Sequence, residues 1–290
     1  MKFRRYEKGD YQALCDFFAA LNRENRQHIN WNWARFEWMY GHPEFDVAAQ
    51  GSMGLWLAED RVAGAAVYDM YFGEAFCGVL PGYETLYPEV LAYAWEILRD
   101  EEGLGIGICD RSPEEQRMAR EAGFTPEDQT ETVLALDLAG FSPTPLPAGC
   151  RLRELDQTAD AEALEWLFWH GFDHGEDRAE FERSERIPAR SRPHFNRHLS
   201  LAAVDDTGEP TAVCCLWYLP GTDYAYVEPV CTVPAHRGRG LARALLGETL
   251  TRAKALGARK AYVISDLDFY KHLGFAQAEH YTFYFRREKV

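Results

Sequence analysis

Apolar positions change period repeatedly along the first half of the chain. A short run at Phe3 to Tyr6 predicts a strand, and Tyr11, Leu14, Phe17, Phe18 and Leu21 then share one helical face. Leu55 to Ala58 and Val62 to Met70, on either side of Glu59-Asp60, predict a β-hairpin. Val90, Leu91, Ala94 and Leu98 predict a helix over Glu89 to Arg99. A strand near Ile106 to Cys109, a helix from Pro113 to Gly123-Phe124 and a strand over Thr132 to Leu138 complete this half. The aromatic cluster Trp31, Trp33, Phe36, Trp38 and Tyr40 is expected to pack in a core or at a domain contact rather than to line a ligand pocket.

Residues 140–149 hold three prolines at alternate positions, which neither a helix nor a central strand accepts, and they predict a domain linker. After them the order of elements starts again. Arg151 to Glu154 predicts a strand, and Ala161, Leu164, Leu167 and Phe168 predict a helix. A polar stretch follows to about His198, and a hairpin forms over Leu199 to Val204 and Thr211 to Leu219. Then come a strand over Tyr224 to Val233, a helix bearing Ala242, Leu245, Leu246, Thr249, Leu250 and Ala253, a stop at Gly257, and strands over Lys260 to Ser265 and Tyr281 to Arg286. Ala122-Gly123-Phe124 and Leu273-Gly274-Phe275 each precede a terminal strand after a similar gap. The fold class is therefore α/β (α+β) with one plan used twice, in domains 1–139 and 150–290.

The chain is 47% apolar and 14% aromatic over 290 residues, enough to bury a substantial core. A net charge of −15 disfavours nucleic acid and anionic membrane as partners and suits a neutral or basic one. Residues 234–243 reverse this sign locally, with Arg237, Arg239 and Arg243 and no acid. Seven cysteines without a C-x-x-C pair read as reduced thiols. No apolar run is long enough to span a bilayer, and the charged start is not followed by a signal-peptide core. The expectation is a soluble, cytoplasmic protein.

Arg237-Gly238-Arg239-Gly240-Leu241-Ala242 lies between an apolar strand and an amphipathic helix. Glycines let backbone N–H groups approach a ligand, and a helix start carries unpaired N–H groups and a partial positive charge, so this loop is a candidate anion site. With Pro234 before it and Phe269-Tyr270-Lys271-His272-Leu273-Gly274-Phe275 downstream, the second half resembles the GCN5-related N-acetyltransferase (GNAT) family, whose acetyl-CoA signature is Gln/Arg-x-x-Gly-x-Gly/Ala. The first half resembles it by element order alone.

The resemblance implies two tandem GNAT-like domains, each a mixed, mainly antiparallel twisted sheet flanked by helices, and acetyl-CoA as co-substrate without a metal. It implies that Arg237, Gly238, Arg239, Gly240, Leu241 and Ala242 hold the pyrophosphate and that Thr232 and Val233 face the pantetheine. Pro229 cannot donate to a ladder and fits a bulge where strands part. Tyr270 stands where family members protonate the departing thiolate. Glu228, on the same strand face as Thr232 by alternation, is the candidate base, directly or through water. Ser265 is placed among the cofactor contacts, although the family often has an Asn and a longer helix there, whereas Ser265-Asp266-Leu267-Asp268 leads almost directly to Phe269-Tyr270.

In the first half, Gly78-Val79-Leu80-Pro81-Gly82-Tyr83-Glu84-Thr85 replaces the arginine-glycine loop and Ala119 replaces the tyrosine, so that copy is expected not to turn over acetyl-CoA. The acceptor implied is a primary amine of a small molecule or peptide, with homodimerisation left open. Two other readings stay open. One is a non-catalytic acyl-CoA-binding or sensor protein. The other is a metallohydrolase built on His170/His174 or His194/His198, each pair four residues apart.

Overall fold

The computed structural model describes residues 1–24, 26–145, 147, 150–183 and 190–288. The expected linker at 140–149 is therefore described at 140–145 and 147, and residues 184–189 of the polar stretch before His198 also lie outside the described residues. In chain order the elements are β1 (Lys2–Arg5), α1 (Tyr11–Glu24), α2 (Trp33–Gly41), β2 (Gly54–Ala58), β3 (Arg61–Asp69), β4 (Tyr71–Val79), α3 (Tyr87–Ile97), β5 (Leu104–Cys109), α4 (Pro113–Glu121) and β6 (Thr125–Asp137). They continue with β7 (Arg151–Glu154), α5 (Ala161–Gly171), α6 (Arg178–Arg183), β8 (Ser200–Val204), β9 (Pro210–Tyr218), β10 (Tyr224–Thr232), α7 (Leu241–Leu256), β11 (Lys260–Ile264), α8 (Asp268–Lys271) and β12 (Ala276–Arg286). Short 3₁₀ turns include Arg26–His28, Glu84–Leu86, Arg197–Leu199 and Pro234–His236.

The chain divides into two compact units. The first comprises residues 1–134, 264–266 and 277–290, the second 135–263 and 267–276. In the first unit the strand order is β1-β2-β3-β4-β5-β12, followed by β6. From β1 to β12 in this order the pairings are antiparallel except for β4 with β5, which run parallel and pair at Glu74 and Gly105. Trp31, Trp33 and Phe36 are buried, so these members of the aromatic cluster are core residues. In the second unit β11-β10-β9-β8-β7 follow one another, again antiparallel except for β10 with β11. Each unit thus has the mixed, mainly antiparallel sheet expected from the sequence.

β9 shows how the second core is built. All nine residues are buried, because successive side chains point to opposite faces and both faces are covered. Val213 and Cys215 join Leu167 of α5 and Cys231 of β10 in one cluster. Cys214 faces the other way, with its sulfur 3.4 Å from Thr249 Oγ1 on α7.

Two features depart from the sequence reading. β4 was not predicted as a strand, since its apolar residues are interrupted by Gly73, Glu74 and Gly78. β12, which sequence order assigned to the second domain, instead pairs with β5 from Tyr281 opposite Cys109 to Arg286 opposite Leu104. Alternating apolar residues specify a strand but not its partner. Gly103, at φ 134, lies so close to the Arg286 carbonyl that a Cβ there would collide with backbone. Gly103→Ala is therefore expected to destabilise the protein by at least about 2 kcal/mol, read as a lower urea midpoint. A midpoint equal to wild type would show that β12 does not need this close approach.

Candidate active site

The candidate site of the second unit begins where β10 parts from β11. The parallel ladder runs from Tyr224 opposite Lys260 to Tyr226 opposite Tyr262, while β10 stays paired with β9 as far as Thr232 opposite Ala212. Beyond Tyr226 that edge of β10 is no longer paired with β11. The β9 register slips between Val227 and Val230, a bulge that brackets Pro229 as the sequence predicted, and the Glu228–Pro229 peptide is cis. Trp217 Nε1 donates to the Glu228 carbonyl at 2.6 Å and fixes the bulge to β9. Glu228, Val230 and Thr232 are partly exposed and Pro229 and Cys231 between them are buried, while the slip in register between Val227 and Val230 interrupts the alternation from which a shared face for Glu228 and Thr232 was expected.

The strand leads through Val233, whose amide donates to Thr211 at 3.0 Å, and the turn Pro234–His236 into the glycine loop. Gly238 and Gly240 both take left-handed conformations, at φ 74 and 78. Gly240 is also the N-cap of α7 and offers no side chain to the first turn. Ala244 donates to the Gly240 carbonyl, but the amides from Gly238 to Arg243 have no acceptor among the described residues. An uncapped set of amides at a helix start, aligned with the helix dipole, fits a bound anion. α7 then closes at Gly257, φ 115, whose amide bonds to Ala253 and Lys254 carbonyls.

The two loop arginines differ. Arg237 is committed within the protein: Nη2 donates to the Gly171 carbonyl at the end of α5 at 2.9 Å and to both oxygens of Asp173 at 3.0 Å, and Nε donates to the Thr232 carbonyl at 3.0 Å. It ties the loop to α5 and to the end of β10. Arg239 is exposed and has no partner among the described residues. Sequence alone could not separate these two side chains.

Tyr270 lies on α8 with its ring edge-on to Phe269 and Phe275. It is buried, and burial pushes its hydroxyl above the ordinary phenol range, with Cys214 and Glu228 acting in the same direction. The influence of Glu228 means that both candidate catalytic groups act within one electrostatic neighbourhood. Ser265 follows β11, and its amide is taken up by the Thr132 carbonyl at 2.9 Å.

The histidine pairs do not have the helical spacing that a metal reading assumed. α5 ends at Gly171, leaving His174 outside it, and the two rings pack on different indoles, His170 on Trp166 and His174 on Trp169. His198 lies in a single 3₁₀ turn that excludes His194, and its Nδ1 is 3.1 Å from Glu154.

The first unit repeats the local geometry with different chemistry. Gly123 and Gly274 have φ 90 and 92, and Phe124 donates to Ala119 O at 3.0 Å as Phe275 donates to Tyr270 O at 3.1 Å. Ala119 thus stands at the structural place of Tyr270. Before α3, the Gly82 amide donates to Glu84 Oε1 at 2.8 Å, so a carboxylate of the chain itself sits at that loop. The turn after α1 packs against both parallel strands. The His28 ring meets Phe76 of β4, Asn30 Nδ2 is 3.6 Å from a Cβ placed on Gly107 of β5, and His28 Nε2 is 3.0 Å from Glu115 on α4.

Comparison with known proteins agrees with this geometry. The model of the acetyltransferase (GNAT) family matches residues 161–275. No curated protein matches the chain. Among solved structures, a tandem GNAT protein from the clavulanic acid biosynthesis pathway is similar over 100% of this chain and 99% of its own, with TM-score 0.63 and 16% identity. A GCN5-related N-acetyltransferase from Sphaerobacter thermophilus is similar over 100% and 96%, with TM-score 0.58 and 20% identity. Saccharomyces cerevisiae N-myristoyltransferase, solved with myristoyl-CoA, covers 100% of this chain and 79% of its own, with TM-score 0.55 and 14% identity. At such identities these likenesses establish the fold. No helix among the described residues is long and apolar enough to cross a membrane. The glycine loop, the unpaired edge of β10 and α7 all lie inside residues 161–275, the stretch that matches the acetyltransferase (GNAT) family model.

Proposed function

We propose that the protein is an acetyl-CoA-dependent N-acetyltransferase whose acceptor is a primary amine of a small molecule or peptide. The observation that carries this reading is that β10, unpaired with β11 beyond Tyr226, leads into the uncapped amides before α7. An extended pantetheine arm can pair with the free edge of β10 beyond Tyr226 while its pyrophosphate meets the amides of Gly238 to Ala242. Thr232 and Val233 line that path. Arg237 acts by holding the loop in shape, and Arg239 remains available to the phosphates.

Acetyl-CoA supplies an activated acyl carbon and a thiolate leaving group. Glu228, directly or through water, takes the proton from the ammonium so that the nitrogen lone pair can attack the acyl carbon. As the C–N bond forms and the C–S bond breaks, Tyr270 donates its hydroxyl proton to the departing sulfur, and the second proton released by the acylated nitrogen restores the tyrosine. Burial keeps Tyr270 protonated, and the same burial raises the basicity of a thiolate beside it, so the two remain matched. No step calls on a metal.

The domain at 1–139 serves as a silent copy in this proposal. Ala119 supplies no proton, Glu84 already accepts from the loop amide, and the turn around His28 contacts both strands where a pantetheine arm would lie. Seven unpaired cysteines support a reducing, cytoplasmic setting. A thiol-release screen with acetyl-CoA against amines and aminoacyl compounds tests the reading, and release is expected to depend on an amine acceptor. Stabilisation by acetyl-CoA without release for any amine would instead support a binding protein.

A further inference from the structure

α5 closes with a turn in which the His174 amide donates to the Trp169 carbonyl at 2.9 Å and the Asp173 amide to the His170 carbonyl at 3.4 Å. Such a turn puts the residue after the C-cap, here Phe172, in the left-handed region, where glycine or asparagine is usual. The chain has Asp173 there, at φ 63. A residue with a Cβ is strained in that conformation, and a carboxylate at the C-terminal end of a helix meets the negative pole of its dipole. Two unfavourable choices thus coincide at one residue, although glycine stands two residues away on either side, at Gly171 and Gly175.

What the carboxylate holds accounts for both. Its two oxygens each lie 3.0 Å from Arg237 Nη2, which also donates to the Gly171 carbonyl at 2.9 Å, while Nε donates to the Thr232 carbonyl at 3.0 Å. Gly171 is itself pressed onto β10, since a Cβ there would stand 2.7 Å from Cys231 Sγ. The guanidinium is therefore fixed between the end of α5 and the end of β10, directly before Gly238. Fold stability does not explain the pair, because the Asp173 and Arg237 side chains are 63% and 45% exposed and exposed ion pairs add little. We infer that Asp173 is a positioning residue for the acyl donor, aiming Arg237 so that the loop from Gly238 to Ala242 has its binding shape before the pyrophosphate arrives. Preorganisation of this kind raises affinity by removing the ordering cost from the binding step. The inference rests on the acetyl-CoA reading above.

Asp173→Gly removes the carboxylate and relieves the left-handed strain, so without ligand the variant should melt at or above the wild-type temperature. Its apparent affinity for acetyl-CoA, from the melting shift, and its KM for acetyl-CoA should each weaken about tenfold, with kcat changed less than about threefold. Asp173→Asn tolerates the same φ and keeps one acceptor oxygen, and it should retain part of the affinity. In an Arg237→Ala background, adding Asp173→Gly should cost nothing further, because the carboxylate acts only through the guanidinium. A merely structural role would instead lower the melting temperature of the free protein and leave KM unmoved. Wild-type donor affinity in Asp173→Gly, or an undiminished loss from Asp173→Gly when Arg237 is already alanine, overturns the inference. A wild type that acetyl-CoA does not stabilise is a different outcome, which overturns the acetyl-CoA reading and this inference with it.

Discussion

Replacing Gly240 by glutamate is expected to abolish the rise in melting temperature that acetyl-CoA gives the wild-type protein. Gly240 holds φ 78, a conformation that costs a non-glycine residue about 1–3 kcal/mol, and it is the N-cap from which the free amides of α7 radiate. A glutamate there twists the loop and places a carboxylate where the pyrophosphate is proposed to sit, much as Glu84 sits at the Gly82 amide in the first unit. The nearest atom to the new Cβ is Pro147 Cγ at 3.9 Å, an ordinary contact, so the variant should still fold. At a ligand concentration of 100 times Kd, binding stabilises the wild type by about 2.7 kcal/mol, and this difference should vanish in the variant. An undiminished shift in Gly240→Glu would remove the loop from the cofactor site.

Tyr270→Phe should lower thiol release by about 10²- to 10⁴-fold while leaving the acetyl-CoA melting shift close to wild type. The substitution keeps the ring contacts with Phe269 and Phe275 and deletes only the proton. The hydroxyl has no hydrogen-bond partner among the described residues, so its loss orphans none of their polar groups. Measured on the same preparation, kcat and the melting shift separate chemistry from binding. Turnover near the wild-type rate would assign the proton to another group and leave Tyr270 as a packing residue.

Period and punctuation carried much of this structure into the sequence. Pro229 announced the slip in the β9 ladder because a residue without N–H cannot continue it, and the paired Gly-Phe turns announced a repeated plan because both need a left-handed glycine. What stayed hidden depends on partners distant in sequence. Arg237 looks like a phosphate ligand until Asp173 and the Gly171 carbonyl are seen around it. The alternation in β12 names a strand, yet only the fold shows it beside β5. The linker prolines forbid a helix without revealing that Pro143 lies against α7 beside Gly247. Tyr270 was singled out by the resemblance to the family and Glu228 by strand alternation, and that Glu228 helps raise the Tyr270 hydroxyl's pKa, after burial, came only with three dimensions.

The placement of β12 separates the order of synthesis from the order of folding. β5 must wait for a strand about 170 residues downstream, as Tyr281 opposite Cys109 shows, so one sheet cannot close until the intervening acetyltransferase domain has been made. Long-range closures of this kind slow folding, and meanwhile the waiting edge of β5 presents unpaired N–H and C=O groups open to wrong partners. The same strand makes the two halves poor candidates for separation. A cut within the proline-rich segment would divide the sequence between its repeats yet leave the first sheet without a strand, so the repeats visible in the sequence are not the pieces in which the protein comes apart.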